Sequence, residues 1–380
     1  MILDADDQRN RGEEFRRLHA GPAFVVPNPW DAGSARVFAG LGFAALATTS
    51  GGLAAGLGKP DGQATREQTL ANVGAIAAAT ALPVTADLES GFGATAADVA
   101  DTIRMAVEAG AVGGSVEDST GDSARPVRPL DEAIERVAAA AEAAHALPFP
   151  FTLTARAENF LYGRPDLDDT IARLRAFESA GADVLYAPGL PDLDAIRAVC
   201  TAVGKPVNVL AGGSAGISVA DLAARGARRV SVGSTLARVA LTAVIDAARE
   251  IHDEGTFSLA SGALSYREVN ELWTARNLCR PRARDHPAVQ LIGAYLPGYG
   301  RRQVFLVRAE RTRRLSRCRL RVLARQRLVP LVGRVRDEDG LRLAVRPEGD
   351  GFGFGTLAAK AREDLRKTLP DLRQRPRLEH

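Results

Sequence analysis

The chain has 380 residues, of which 46% are hydrophobic and 5% aromatic, with three cysteines and a formal net charge of +3. That length suffices for a sizeable core, as two domains or as one large barrel plus an extension, while three widely spaced cysteines (Cys200, Cys279, Cys318) without a CxxC pair argue against a disulfide framework or a zinc ribbon. The charge is divided sharply: residues 276–380 hold 26 Lys+Arg against 11 Asp+Glu, and the remainder holds 23 against 35.

The N-terminus, Met1-Ile2-Leu3-Asp4-Ala5-Asp6-Asp7, is acidic, and no apolar run reaches membrane-spanning length, so a cytoplasmic protein without a membrane partner is expected. From Phe15 onward, short β-rich runs alternate eight times with Ala-rich helical stretches. The strands fall at 23–26, 44–48, 84–87, 113–117, 151–155, 184–186, 207–210 and 229–232. Helices are expected near 32–41, 66–80, 96–109, 131–146, 167–180, 193–203, 219–225 and 235–250, several closing on glycine, as at Ala109-Gly110 and Ala180-Gly181. Eight βα units in roughly 250 residues fit a (β/α)₈ TIM barrel. A doubly wound sheet fits less well, because no GxGxxG follows the first strand. The domains read as a barrel over 1–275, including a short helical extension at 257–273, and an Arg-rich extension over 276–380.

Active sites of such barrels lie at the C-terminal ends of the strands, which makes those ends the place to look. Strand three runs into Asp87-Leu88-Glu89 and strand four into Glu117-Asp118-Ser119. A strand alternates its side chains, so Asp87 and Glu89 should share a face, with Glu117 beside them on the next strand. Three converging carboxylates repel unless a cation or protons intervene, and hard oxygen ligands suit Mg²⁺ or Mn²⁺. The alternative is that these acids cap helices. Arg156, ending strand five, either grips a substrate carboxylate and stabilises charge on an oxygen, or pairs structurally with Glu117 or Asp118. Ser50-Gly51-Gly52 after strand two reads as a turn that presents backbone N–H groups to an anion. Gly212-Gly213-Ser214 and Gly233-Ser234 form either a phosphate cup or helix caps.

The absences matter too. Only Lys59 and Lys205 fall in the barrel, neither placed for a Schiff base, which argues against a lysine-type aldolase. His19, His145 and His252 lie on expected helices or their ends, as partly exposed residues rather than zinc ligands or a general base.

Taken in order, Asn28-Pro29-Trp30-Asp31-Ala32, Thr49-Ser50-Gly51-Gly52, Ala86-Asp87-Leu88-Glu89-Ser90-Gly91-Phe92-Gly93, Val116-Glu117-Asp118-Ser119 and Thr154-Ala155-Arg156 resemble the isocitrate lyase / phosphoenolpyruvate mutase superfamily over roughly 15–273. The resemblance implies a Mg²⁺-dependent barrel, with Mn²⁺ as a substitute, that breaks or rearranges a C–C or P–C bond of a 2-oxo acid. It implies Asp87 as the direct metal ligand, with Glu89, Glu117 and Asp61 acting mainly through water. Ser50, Gly51 and Gly52 resemble the carboxylate-holding turn, and Arg156 the arginine that steadies the reacting anion; Asn208 counts with the substrate contacts. Ser50, Arg156 and Glu117 are the expected catalytic set, and a homodimer or homotetramer is implied by the helices beyond the barrel.

The chain departs from its relatives in the loop after strand four. It reads Ser119-Thr120-Gly121-Asp122-Ser123-Ala124-Arg125-Pro126-Val127-Arg128, without the Lys-Lys-Cys-Gly-His of the lyases that cleave isocitrate or methylisocitrate. The expected reaction is cleavage of a 2-oxo acid or substituted malate through an enolate, as in an oxaloacetate decarboxylase or dimethylmalate lyase. A P–C mutase or hydrolase is the alternative, as is a non-catalytic barrel with a nucleic-acid-binding tail. The tail mixes Arg and Leu at 311–321 and is expected to have little order, or a small β unit at 304–307, 328–332 and 341–345.

Overall fold

The structure, a computed structural model, describes residues 5–211, 216–258 and 262–274, and the strand residues 308–309, 317–324, 327–334 and 344–347. Contacts divide the chain into two units, Met1–Arg280 and Pro281–His380.

In the first unit eight parallel strands form a nearly closed barrel. These are β1 (Phe24–Val26), β2 (Leu46–Ala47), β3 (Val84–Asp87), β4 (Gly113–Glu117), β5 (Thr152–Arg156), β6 (Val184–Tyr186), β7 (Val207–Leu210) and β8 (Arg229–Ser231). Neighbours pair in sequence order, and β1 pairs with β8. The remaining seam, between β1 and β2, is crossed by the Ala47 N–H, which donates to the Pro27 carbonyl at 3.1 Å. Asn28 completes the closure: its Nδ2 donates to the Thr48 carbonyl, and its Oδ1 accepts from the backbone N–H groups of Val232 and Gly233.

Helix α1 (Ala5–Ala20) precedes the barrel, and α2 (Ala32–Gly40), α3 (Ser50–Gly56), α4 (Arg66–Ala79), α5 (Ala96–Glu108), α6 (Leu130–His145), α7 (Leu167–Ser179), α8 (Leu193–Ala202), α9 (Val219–Ala224) and α10 (Thr235–Arg249) follow the strands. A π-helical turn, Glu250–Glu254, then leads toward α11 (Tyr266–Thr274). Their starts are legible chemistry: Thr65, Thr95 and Ser218 each accept from the N–H three residues on, and the side chain at that position reaches back to the cap. Strand residues that point outward, such as Ala155 and Leu185, are fully buried against helix residues including Leu174 and Phe177. Each large side chain buried in this way stabilises the barrel by about 1.5–3 kcal/mol.

The inward positions are different. Thr85, Thr154, Asn208, Arg229 and Ser231 make the barrel interior polar where bulky aliphatic residues more often fill it. Helix α1 closes the bottom, with Phe15 fully buried and His19 7% exposed. The rings of Phe15 and Phe24 stand edge-on to His19, with centroids at 4.7 and 5.1 Å. A side chain at Gly113 would place its Cβ 2.9 Å from both the Phe15 ring and Thr85 Oγ1, so this plug requires glycine there.

Three expectations need correction. His19 is buried rather than partly exposed, because α1, whose bounds were not given by the sequence, tucks under the barrel. Ser50-Gly51-Gly52 is not a free turn but the first turn of α3, capped by Thr49, whose Oγ1 accepts from Gly52 N. The third concerns the tail, where order was not foreseen along the Arg/Leu run. In the second unit β9 (Arg308–Ala309), β10 (Arg317–Ala324), β11 (Arg327–Arg334) and β12 (Ala344–Pro347) form an antiparallel sheet in the order β12-β11-β10-β9. The expected strand 328–332 lies within β11, 341–345 shifts toward β12, and 304–307 falls outside the described residues, as do Gly212, Gly213 and Ser214. Among the described residues no helix is long and apolar enough to cross a membrane.

Candidate active site

The upper rim of the barrel is organised by Arg156, the last residue of β5. Its Nη1 lies 3.0 Å from Asp87 Oδ1, its Nη2 3.1 Å from Glu117 Oε2, and its Nε 2.9 Å from Glu158 Oε1. Neighbouring registers explain the convergence, since Asp87 pairs with Ser115 across β3–β4 and Glu117 pairs with Arg156 across β4–β5. The Tyr186 ring adds a cation–π contact, with the guanidinium carbon 5.1 Å from its centroid. Burial by itself lowers the Arg156 pKa, but Glu117, Glu158 and Asp87 outweigh it and hold the group charged, well above its usual value. Burial pushes Glu158 up to about 8 against the pull of Arg156, and it raises Glu117 in the same sense.

Glu89 stands apart from this hub. Strand β3 ends at Asp87, and the backbone then turns left-handed, with φ of 48° at Glu89 and 50° at Phe92. The strand alternation that would have put Glu89 beside Asp87 on one face therefore stops before it. A left-handed non-glycine residue costs about 1–3 kcal/mol and persists only where its surroundings fix it. Here Arg136 of α6, 3% exposed, does so by donating to the carbonyls of Ser90, Gly93 and Ala94. The result is a half-buried carboxylate whose Oε1 has no hydrogen-bond partner. Its pKa is pushed up to about 8, first by burial and then by Asp87, Glu117 and Asp61.

Asp87 is held from three sides. Its own N–H donates to Thr48 Oγ1 at 2.8 Å, its Oδ2 accepts from the Ser50 backbone N–H at 3.0 Å, and Oδ1 meets Arg156. The Ser50–Gly52 segment thus reaches the site as a helix N-terminus. A Cβ on Gly51 would sit 3.0 Å from Asp61 Oδ2, which shows how near Asp61 approaches α3. Behind Glu117, Ser119 Oγ donates to Glu117 Oε1 at 2.7 Å. Asp118, 3% exposed, turns away from the cavity, accepting from Glu158 N and from Arg173 Nη1. The loop that follows is pinned at its base by a Ser119–Val127 bridge and by Arg128 N donating to the Asp118 carbonyl.

One cavity of about 140 Å³ opens among these groups. Ser50, Gly51, Asp61, Asp87, Arg156 and Asn208 are on its wall; Gly52, Glu89 and Glu117 are not. Asn208, 1% exposed, is engaged inside the wall, donating to Ser231 Oγ and accepting from Arg229 Nε, both at 2.9 Å. Glu158, Tyr186 and Arg229 were not foreseen. Glu158 follows Arg156 at a spacing of two, the same signal that singled out Asp87 and Glu89. Nothing in the sequence marks Arg229, which enters at the start of a strand rather than at its end.

The donor set suits a hard divalent cation. It offers carboxylate oxygens in excess over the positive charge of Arg156, with one of them orphaned on Glu89. Among the described residues, however, no group of three or more His, Cys, Asp or Glu is assembled as a protein-only metal shell. Asp87 and Glu117 are instead cross-linked by Arg156, so an ion here would rely largely on water for its coordination.

Comparison with known proteins places this geometry in context. The family model of phosphoenolpyruvate phosphomutase matches residues 15–252. A crystal structure from Burkholderia cenocepacia, provisionally described as a lyase/mutase, superposes with a TM-score of 0.70 at 54% identity, over 72% of this chain and 99% of that one. The oxaloacetate decarboxylase of Bradyrhizobium diazoefficiens is 30% identical over 280 residues, which cover 70% of this chain and 95% of the relative. A 2,3-dimethylmalate lyase, described as a PEP mutase/isocitrate lyase superfamily member, superposes with a TM-score of 0.62 at 26% identity, over 69% of this chain and 94% of that one.

Proposed function

The chain belongs to the phosphoenolpyruvate phosphomutase family, within the PEP mutase/isocitrate lyase superfamily, and from that premise we propose that it is a divalent-cation-dependent lyase that breaks a carbon–carbon bond of a small 2-oxo acid or substituted malate through an enolate. The observation that carries this reading is the Arg156 hub: a fully charged guanidinium held by three carboxylates at the cavity wall. Asp87 would hold Mg²⁺ or Mn²⁺ directly, with Glu89, Glu117 and Asp61 acting through water. The bound ion would supply Lewis acidity toward the 2-oxo carboxylate.

The protein's own groups do the rest. The Ser50 hydroxyl and the Gly51 N–H at the start of α3 orient the substrate carboxylate, the Ser50 and Gly52 N–H groups being taken by Asp87 and Thr49. Arg156 stabilises the negative charge that develops on oxygen as the bond to C3 breaks, a contact worth about 2–4 kcal/mol of barrier. Glu117, fixed by Ser119 and Arg156, keeps that guanidinium aimed. The loop between Ser119 and Arg128 carries no Cys, His or Lys, so the proton that ends the reaction comes from water in this account. P–C chemistry is the competing reading, favoured by the description of the matching family model. A homo-oligomer is part of the proposal: α10 buries only Ala237 and leaves Val239, Leu241, Val244 and Ile245 exposed, an apolar face that a second copy would cover. The three spaced cysteines support a reducing, cytoplasmic setting.

The test is a panel of oxaloacetate, 2,3-dimethylmalate, methylisocitrate and phosphonopyruvate with the full chain and Mg²⁺. Pyruvate, phosphate and phosphoenolpyruvate formation are followed separately. Turnover of a carbon substrate that stops on chelation supports the lyase. Conversion of phosphonopyruvate alone, to phosphoenolpyruvate or to pyruvate and phosphate, supports the P–C reading, and no turnover of any member rejects both.

A further inference from the structure

The cavity does not end at its acidic rim. It continues down the polar barrel interior to Arg229 of β8, which is 4% exposed and lines the same space as Ser50, Asp61 and Asp87. The Arg229 guanidinium donates from Nε to Asn208 Oδ1 and from Nη2 to Thr154 Oγ1, both at 2.9 Å, and Nη1 lies 3.4 Å from His19 Nε2. All three acceptors are neutral. His19 Nδ1 lies 2.8 Å from the Phe15 carbonyl, so that nitrogen carries the ring proton and Nε2 is left to accept. Burial, followed by Arg229, pushes His19 down to about 3, and the ring stays uncharged.

A buried arginine without a carboxylate partner is expensive in general; Arg136 is a second case here, met instead by the backbone carbonyls of Ser90, Gly93 and Ala94. Taking an ion out of water costs several kcal/mol unless a partner offsets it. Arg156 has three carboxylates, and Arg173 has Asp118 and Asp169. Burial lowers Arg229 to about 10, which still leaves it charged at neutral pH. A guanidinium has five N–H groups, and three are engaged here, so one remains on each of Nη1 and Nη2. Those two terminal nitrogens are the pair that meets a carboxylate side by side. Arg229 thus combines a full charge, two uncommitted donors and access to the cavity.

We propose that Arg229, with Asn208 and Ser231 beside it, is a second anion subsite at the floor of the cavity, taking a second carboxylate of the substrate. The ligand it selects is then a dicarboxylic acid in its dianionic form, and acids with a single carboxylate leave Arg229 unpaired. This rests on the reading of the cavity as a 2-oxo acid site, and it narrows the substrate class. Arg229 acts in binding and has no part in bond breaking.

The experiment is calorimetric titration of the full chain, with and without Mg²⁺, using malate and 2-hydroxybutyrate, which share a four-carbon hydroxy-acid skeleton and differ in the second carboxylate. The wild type should prefer malate by tenfold or more in both conditions. R229M and R229Q, checked for native circular dichroism, should bring malate down to within about threefold of 2-hydroxybutyrate, while R229K keeps part of the preference because it keeps the charge. A wild type without preference, or a folded R229M or R229Q that retains it, overturns the subsite. The binding readout needs no turnover, so an inactive substrate panel alongside a clear malate preference would reject the lyase and leave the subsite standing. Turnover without the preference would do the reverse.

Discussion

Replacing His19 by Gln isolates the floor of the barrel from its rim. His19 is nearly buried, with Phe15 and Phe24 edge-on and Arg229 at its Nε2, and its pKa is pushed from 6.5 to about 3. Between those two values the unfolded chain holds the imidazole proton and the folded chain does not. Stability is therefore fully present above pH 6.5 and is lost as the pH falls, at about 1.4 kcal/mol per pH unit. From pH 7.5 to pH 5.0 the loss from this one ring is about 2 kcal/mol. Glu89 and Glu158, both raised to about 8, act with the opposite sign, since their contribution is lost as the pH rises. For that reason the assay is a difference. Urea unfolding of wild type and H19Q is followed by fluorescence of Trp30 and Trp273 at a series of pH values. Gln can donate to the Phe15 carbonyl and accept from Arg229 but does not titrate, so the stability gap between the two proteins should shift by about 2 kcal/mol in favour of H19Q on going to pH 5.0. Parallel curves would show that the ring is not held neutral under the barrel, and would refute the description of the plug.

Arg156→Met should lower kcat by about 10²–10³ at saturating Mg²⁺, the usual consequence of removing one donor from developing oxyanion charge, with steady-state turnover as the readout. Gly52→Ala should destabilise the barrel by about 1–3 kcal/mol through overpacking, because the new Cβ would lie 2.6 Å from Thr49 Cγ2 and 3.0 Å from Trp30 Cβ. Gly56→Ala at the other end of α3, where nothing lies within 4 Å, should be neutral or stabilise by up to about 1 kcal/mol in the same thermal melt. Asp118→Asn should cost about 3 kcal/mol in urea unfolding, since it breaks a buried pair with Arg173.

Most of the scaffold was legible because strand and helix signals repeat with fixed periods. All eight strands fall on the expected short β-rich runs, and Asp87, Glu117 and Arg156 converge because parallel registers bring strand ends together. The failures have local causes. Alternation does not extend past the end of β3 to Glu89, whose left-handed backbone is fixed by Arg136 through the Ser90 carbonyl, a contact 46 positions apart in sequence that no short pattern reveals. Helix α1 has a largely polar sequence and buries only Gln8, Gly12, Phe15 and His19, too sparse a stripe to signal that it seals the barrel. Arg229 looks like a strand-entry residue, which in most barrels concerns stability rather than ligands. Only its neutral partners, drawn from α1, β5 and β7, show that its charge is unmatched.

The proposed chemistry requires a cation held at the rim through Asp87. Equilibrium titration with Mn²⁺, read by the paramagnetic signal of the free ion, measures this directly without requiring any substrate. One ion should bind per chain, compete with Mg²⁺ and bind more tightly as the pH rises toward 8 and Glu89 loses its proton; folded Asp87→Asn should lose it. Stoichiometric binding that survives in that variant, or none in the wild type, would contradict the account.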